Sequence, residues 1–118
     1  MSRSDVQLRG DRAEALAAKF LERQGLQVVE RNYRCRHGEI DLVARDGATL
    51  VFVEVRLRSN AAFGNAADSI TTAKQRRLAA AAALYLAAGR ADQACRFDAV
   101  LLDRLDASRV EWLRNIMT

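Results

Sequence analysis

The chain has 118 residues, half of them hydrophobic, and it contains no proline. This length predicts a single domain over residues 1–118, and the composition excludes wholesale disorder and a proline-rich linker. Its 19 cations, 17 of them arginine, stand against 15 acids and give a net charge of +4. That balance fits an anionic partner such as nucleic acid, although charge alone favours the simpler alternative of arginines spread over a solvated surface.

Targeting patterns and cysteine-based zinc-binding patterns are missing from the sequence. The two cysteines, Cys35 and Cys95, lie far apart and outside any zinc-binding spacing. The first residues contain no apolar leader, and the longest apolar run, residues 78–88, is too short to cross a bilayer. We therefore expect a reducing, cytoplasmic setting and no membrane partner.

The first half of the chain predicts one helix and three strands. Apolar residues at helical spacing predict a helix over residues 11–24, and Gly25 is suited to end it. A strand follows over residues 26–33 and enters a basic turn at residues 34–38. Strands over residues 39–45 and 48–57 then flank Asp46-Gly47, which is typical of a two-residue hairpin turn.

The second half predicts a loop over residues 59–68, a helix over residues 70–88 ended by Gly89, and a strand over residues 96–103. Residues 110–117 fit either a strand or a helix. This order predicts an α/β fold with a central mixed sheet, a β-hairpin at its core and helices on its faces. The strand that carries Glu54 is apolar around its acid, so we place it centrally.

The hairpin brings acidic residues onto one face. A loop at Asp46-Gly47 places Asp41 opposite Phe52 and makes Asp41 and Glu54 diagonal neighbours, about 7–8 Å apart at the backbone. Two carboxylates in apolar strands at that distance can share a divalent cation, and their oxygens suit Mg²⁺ or Mn²⁺. The alternative is an exposed polar face on which Glu54 and Arg56 are surface charges.

The segment GEIDLVARDGATLVFVEVRLR, residues 38–58, resembles the hairpin of the YraN-type proteins. These small proteins are regarded as endonucleases related to archaeal Holliday junction resolvases, within the PD-(D/E)XK nuclease superfamily. Further matches are GDRAE at residues 10–14, RNYR at residues 31–34, Phe63-Gly64, Lys74, and RFD at residues 96–98. The resemblance implies a restriction endonuclease-like fold and hydrolysis of phosphodiester bonds in DNA, branched or single-stranded.

The resemblance also implies roles for individual residues. Asp41 and Glu54 match the two acids of the motif, which hold Mg²⁺ together with the backbone carbonyl at Val55. Glu14 matches a helical acid that completes the metal site in resolvase-like members. By analogy with those members, the protein acts as a homodimer.

The sequence departs from the motif at Arg56, because the superfamily has lysine there. Arginine stays protonated and cannot act as a base, so Arg56 is left to clamp the scissile phosphate. Lys74 is a candidate to supply the missing amine, and the alternative is an ordinary surface lysine. The departure keeps open a second function, that of a nucleic-acid-binding protein that does not cut.

Basic residues after the hairpin predict a surface for nucleic acid. Residues 56–90 hold six cations and one acid, which favours contact with phosphates, the alternative being a solvated helix face. The predicted contacts are Arg34, Arg36, Arg58, Arg76 and Arg77. Four other residues receive structural interpretations: an ion pair for Asp98 with Arg96 or another arginine, solvent exposure for His37, and packing for Tyr85 and Trp112.

Overall fold

The computed structural model describes residues 5–57, 71–89, 94–102 and 110–117, with side chains from residue 10 onward. Two helices and five strands occur in these ranges: α1 (Asp5–Arg23), β1 (Gln27–Cys35), β2 (Gly38–Asp46), β3 (Thr49–Leu57), α2 (Thr72–Ala87), β4 (Cys95–Leu102) and β5 (Val110–Leu113). The strands form one sheet in the order β1-β2-β3-β4-β5.

The sheet is mixed, as predicted. Strands β3 and β4 run parallel, and the other neighbouring pairs are antiparallel. The strand that carries Glu54 is the third of five and has a neighbour on each side. The predicted α/β class, a mixed sheet flanked by helices as in restriction endonuclease-like domains, is confirmed.

The two helices cover opposite faces of the sheet. Buried residues of α1 at helical spacing, Ala13, Ala17 and Leu21, pack with one set of strand side chains. On the other face, Leu78 and Tyr85 of α2 pack with a second set that includes Phe52 and Val43. Alanines on both helices bring their backbones close to the sheet, which leaves the long polar side chains at the helix margins.

The predicted hairpin exists, but its turn lies one residue later than predicted. The last pair is Asp46 with Thr49, so Gly47 and Ala48 form the two-residue turn. Gly47 has φ +61°, a left-handed conformation that glycine adopts without a Cβ clash. The predicted pairing of Asp41 with Phe52 is therefore wrong, since Phe52 pairs with Val43.

The observed register still places the acids on one face, because it differs from the predicted register by two residues. The paired register runs from Asp46–Thr49 to Leu42–Val53. If this register is continued by one residue, Asp41 lies directly across from Glu54. The predicted register had placed the two residues diagonally. Side chains alternate with period two, so an even shift preserves which residues share a face.

Strand β2 is irregular at Asp41. Ile40 packs in the cluster beneath α2, whereas Leu42 packs in the cluster beneath α1. Residues two apart on a regular strand share a face, so the alternation breaks at the residue between them. The break therefore lies at Asp41, one of the two acids that the sequence singled out.

Other boundaries differ modestly from the prediction. Strand β1 continues through Arg34 to Cys35, which shortens the predicted basic turn to residues 36–37. Helix α2 ends at Ala87 before Gly89, which has φ +123°. Residues 110–117, which fit two interpretations, form β5 and then an irregular segment. The predicted 59–68 loop lies outside the described residues.

The aromatic residues pack as predicted. Tyr85 is buried and makes edge-on contacts with Tyr33 and Phe52, while Trp112 meets the ring of Phe20 edge-on at 6.0 Å between centroids. Neither helix in the described part of the chain has the length and hydrophobicity that a bilayer-spanning helix requires.

Candidate functional site

A cleft of about 530 Å³ opens where β3 ends, between the margins of the two helices. Its walls come from α1, the start of β2, the end of β3 and the first turns of α2. The lining residues are Gly10, Ala13, Glu14, Gly38, Glu39, Asp41, Glu54, Val55, Arg56, Leu57, Lys74, Arg77 and Leu78. Four acids and three bases thus share one cavity, although they are spread over residues 14–77.

Asp41 is the centre of the acidic group. Its Oδ2 accepts a hydrogen bond from the backbone N–H of Val55 at 2.9 Å, which joins β2 to β3 just beyond the last regular pair. Burial raises the pKa of Asp41, and the neighbouring Glu39 adds to this, while the Val55 N–H and Arg56 act in the opposite direction.

Two further acids approach Asp41 from different elements. One carboxylate oxygen each from Glu14, Glu39 and Asp41 lie within 4.8 Å of one another. Burial raises the pKa of Glu14 to about 7, with additional repulsion from Asp41 and then Glu39. Carboxylates this close cannot all be ionised without a compensating cation. The cluster could hold a metal ion.

Glu54 completes the acidic wall from β3. Its side chain is only 12% exposed, and its Oε1 lies 2.6 Å from Nη2 of Arg56. Burial raises the pKa of Glu54 to about 7, and Asp41 adds to this, whereas Arg56 and Lys74 oppose the rise. The Asp41 and Glu54 side chains are therefore close enough to influence each other's protonation.

The donor set of this wall suits a hard divalent cation. Carboxylate oxygens, which Glu14, Glu39, Asp41 and Glu54 supply, are the ligand type that Mg²⁺ and Mn²⁺ prefer. No thiol or imidazole lines the cleft among the described residues. Two of the acids have a pKa of about 7, which indicates a site where a cation can replace protons.

The basic wall of the cleft comes largely from α2. Thr71 caps this helix by accepting a hydrogen bond from the backbone N–H of Lys74 at 3.2 Å, which fixes the first turn beside the cleft. Burial lowers the pKa of Lys74, and repulsion from Arg56 lowers it further, while Glu54 opposes the change. Arg77 contributes a second cation from the same helix.

The predicted site residues divide into three groups. The structure brings together in the cleft Glu14, Asp41, Glu54, Val55, Arg56, Lys74 and Arg77. Arg34, Arg36 and Arg76 are exposed and do not belong to the lining, and Arg34 lies 3.7 Å from Glu39. Arg58 lies outside the described residues.

Glu39 is the cleft residue that the sequence-based assignment omitted. Its spacing of two from Asp41 puts both side chains on one face of a regular strand, and this was the available signal. Glu14 of α1, which the resemblance assigned to the metal site, lies in the same acidic group.

Asp98 has a structural environment away from this cleft. It is fully buried and accepts hydrogen bonds from Arg96 Nε at 3.1 Å, from the Trp112 indole N–H at 3.0 Å and from the backbone N–H of Asn115 at 2.9 Å. Arg96 also pairs with Asp46 at 2.9 Å. The predicted ion pair of Asp98 with Arg96 is therefore confirmed, and the exposed position predicted for His37 is observed.

The fold and the cleft define a class of small α/β proteins whose acids and bases face each other at one end of a mixed sheet. Within this class, the family described as uncharacterised protein family UPF0102 matches residues 13–102. The chain belongs to this family, which is the YraN-type group that the hairpin resembles.

Relatives in this family are similar over nearly their whole length. A UPF0102 protein of Nitrosospira multiformis is 54% identical over 110 residues, which are 93% of this chain and 92% of the relative. A UPF0102 protein of Methylobacillus flagellatus is 55% identical over 90% of this chain and 93% of its own. A UPF0102 protein of Dechloromonas aromatica is 55% identical over 91% of this chain and 86% of its own.

Proposed function

We propose that this protein is a metal-dependent endonuclease that hydrolyses phosphodiester bonds in DNA. One observation carries the proposal: carboxyls from three elements, most of them partly buried, converge at Asp41, and three basic side chains line the same cleft of about 530 Å³. The acids suit a divalent cation, and the bases suit a phosphate. Phosphodiester hydrolysis makes use of both at one point.

The acidic wall supplies the metal ligands. Asp41 and Glu54 would hold Mg²⁺ or Mn²⁺ with the backbone carbonyl of Val55. Glu14 and Glu39 would add negative charge beside the ion. When bound, such an ion lowers the pKa of water and offsets the negative charge that grows on the phosphoryl oxygens. The hydrogen bond from the Val55 N–H to Asp41 holds the central carboxylate in place.

The basic wall binds and orients the substrate. Arg77 and Arg56 attract the phosphate backbone through their positive charge. Lys74, whose pKa is lowered by burial and by Arg56, is the group that can position the attacking water and accept its proton. The exposed Arg34, Arg36 and Arg76, with Arg58, contact the nucleic acid further from the cleft.

Cleavage assays test this function. We expect the purified protein to cut branched or single-stranded DNA with Mg²⁺ or Mn²⁺ and to lose all cutting with a chelator. Asp41→Ala is expected to lower the rate at least about 100-fold, because it removes the shared ligand. Glu30→Ala is the matched control, since Glu30 is an exposed acid of the neighbouring strand β1 and lies outside the cleft lining. Absence of cleavage, or cleavage that survives Asp41→Ala, contradicts the proposal.

A second candidate is a nucleic-acid-binding protein that does not cut. The observation in its favour is that Arg56 occupies the position of the motif lysine and pairs with Glu54 at 2.6 Å. This pair neutralises Glu54 without a metal. DNA binding that needs no divalent cation, together with no detectable Mn²⁺ binding by calorimetry, would favour this candidate.

The resolvase-like resemblance further supports a homodimer, since two symmetric cuts at a junction require two sites. Light scattering of the protein with and without junction DNA tests this point. A species of one chain under both conditions argues against paired cutting.

A further inference from the structure

Strands β1 and β2 are irregular at the same level. The register pairs Arg31 with Leu42 and Tyr33 with Ile40, so Asn32 lies across from Asp41, where β2 changes face. Asn32 itself has φ +56°, in the left-handed region that few residues with a Cβ adopt. Two neighbouring strands therefore depart from regular geometry at adjacent residues, directly beneath the acidic wall.

The residue at this bend also contacts the wall. Asn32 lies across from Asp41, whose carboxylate is within 4.8 Å of that of Glu14 of α1, and a hydrogen bond from the Asn32 side chain lowers the pKa of Glu14. A carboxylate can only accept, so the amide N–H of Asn32 donates to ionised Glu14. Among the influences on Glu14, this hydrogen bond acts against burial and against the repulsion from Asp41 and Glu39. Asparagine is suited to both tasks, since it tolerates the left-handed backbone and carries a donor.

We propose that Asn32 is a positioning residue, which uses its left-handed backbone to aim an amide donor at Glu14 and so holds that carboxylate against Glu39 and Asp41. The role of Asn32 in metal binding rests on the proposed function above. The hydrogen bond from Asn32 to Glu14 is independent of that function, because it forms in the metal-free protein. A donor behind a carboxylate ligand fixes the orientation of the ligand and commonly changes metal affinity by 10-fold or more.

The first experiment measures Mn²⁺ binding to the full chain by calorimetry. Asn32→Gly retains the left-handed backbone and removes the amide, so we expect a loss of affinity of about 10-fold. Asn115→Gly is the matched control, because Asn115 also has φ +56° but lies after β5, outside the cleft lining. Its Mn²⁺ affinity is expected to equal that of the wild type.

A double-mutant cycle separates positioning from a general structural effect. If Asn32 acts through Glu14, Asn32→Gly has no further effect on Mn²⁺ affinity in a Glu14→Gln background. Full additivity of the two substitutions overturns the proposal, as does wild-type affinity in Asn32→Gly.

A second experiment works without metal. We expect the side-chain amide signals of Asn32 in a nitrogen–proton NMR spectrum to move on Glu14→Gln and to stay in place on Glu22→Gln, because Glu22 is an exposed acid of the same helix. Unmoved signals on Glu14→Gln overturn the inference. Moved signals in a protein that binds no Mn²⁺ support the contact between Asn32 and Glu14 and contradict the proposed nuclease.

Discussion

Arg56 and Lys74 relate differently to Glu54, the acid between them. Arg56 touches it directly at 2.6 Å, whereas Lys74 acts on it as a nearby charge from α2. The Arg56 guanidinium is thus paired within the acidic wall, whereas no ion pair of the Lys74 amine occurs among the described residues. An amine can release a proton and a guanidinium cannot, so the two cations have different uses in proton transfer.

Substitution of Lys74 tests whether it replaces the motif lysine. Lys74→Met is expected to lower the cleavage rate about 100-fold, because the group that handles the proton of water is removed. When Arg56→Lys is added to Lys74→Met, the cleavage rate is expected to rise again about 10-fold, since the second substitution returns an amine to the motif position. Measured single-turnover rates check both values.

The control for this experiment is Lys19→Met, which removes the other lysine, an exposed residue of α1 outside the cleft lining. A rate equal to the wild type is expected for it. If Lys74→Met cuts as fast as Lys19→Met, then Lys74 is a surface lysine.

Residue chemistry made part of the site predictable. Asp41 and Glu54 stand in apolar strands where a charged side chain needs a partner, so the sequence singles them out. Glu39 was not selected, because nothing local distinguishes it from a solvated acid. Asn32 gave no sequence signal, since its role depends on a contact with a helix 18 positions earlier in the chain.

At the scale of elements, the start of β2 is the most constrained backbone near the cleft. Gly38 has φ +140°, which residues with a Cβ rarely adopt, and a Cβ built there would lie 3.6 Å from Cβ of Arg77. The strand therefore begins in a conformation that glycine allows, one residue before Glu39. Any strain at this point moves the first acid of the wall.

A pair of glycine substitutions tests this constraint. Gly38→Ala is expected to destabilise the protein by about 1–2 kcal/mol, because its φ is strained for alanine even though space is available. Gly10→Ala is expected to stabilise it by about 0.5–1 kcal/mol, since Gly10 lies inside α1 with nothing within 4 Å. Urea unfolding measures both changes, and a neutral Gly38→Ala contradicts the strain.

Local turn chemistry explains why the hairpin was predictable and why its register was not. A glycine between two β-rich runs marks a turn, but either Asp46-Gly47 or Gly47-Ala48 can occupy the central positions. The choice depends on side chains several residues away, where Phe52 and Val43 must both face α2. The break in β2 at Asp41 likewise follows from packing against two helices at once.

At the scale of the whole molecule, the acidic wall opposes folding. Burial and neighbouring carboxyls raise the pKa of Glu14 and of Glu54 from 4.5 to about 7. Between these values the folded chain binds more protons than the unfolded chain, so the free energy of unfolding decreases as pH rises. The stability associated with these two groups is present below about pH 4.5 and is lost as pH rises through about 7.

Thermal unfolding in a chelator is expected to show this decrease as a melting temperature about 5 °C lower at about pH 8 than at about pH 5. Glu14→Gln is expected to reduce the difference, because it removes one of the two groups. Mn²⁺ is expected to raise the melting temperature more at the higher pH, where the ligands are ionised. A melting temperature that rises with pH in the chelator would falsify the linkage.

The buried network around Asp98 has a consequence for mutational tolerance. Arg96, which anchors this network, is the β4 partner of Val51 on β3. Val51 lies five residues before Arg56 on the same strand, so about 16 Å separates the network from the cleft end of β3. Substitutions at that end remove satisfied hydrogen bonds and lower the yield of folded chain, whereas neutral substitutions in the acidic wall relieve repulsion and raise it. Random variation screened only for soluble expression would therefore retain Asp98 and erode Asp41 and its neighbours. A library in which both the Asp98 network and the acidic wall keep their residues would have to be selected for binding of the cleft's ligand.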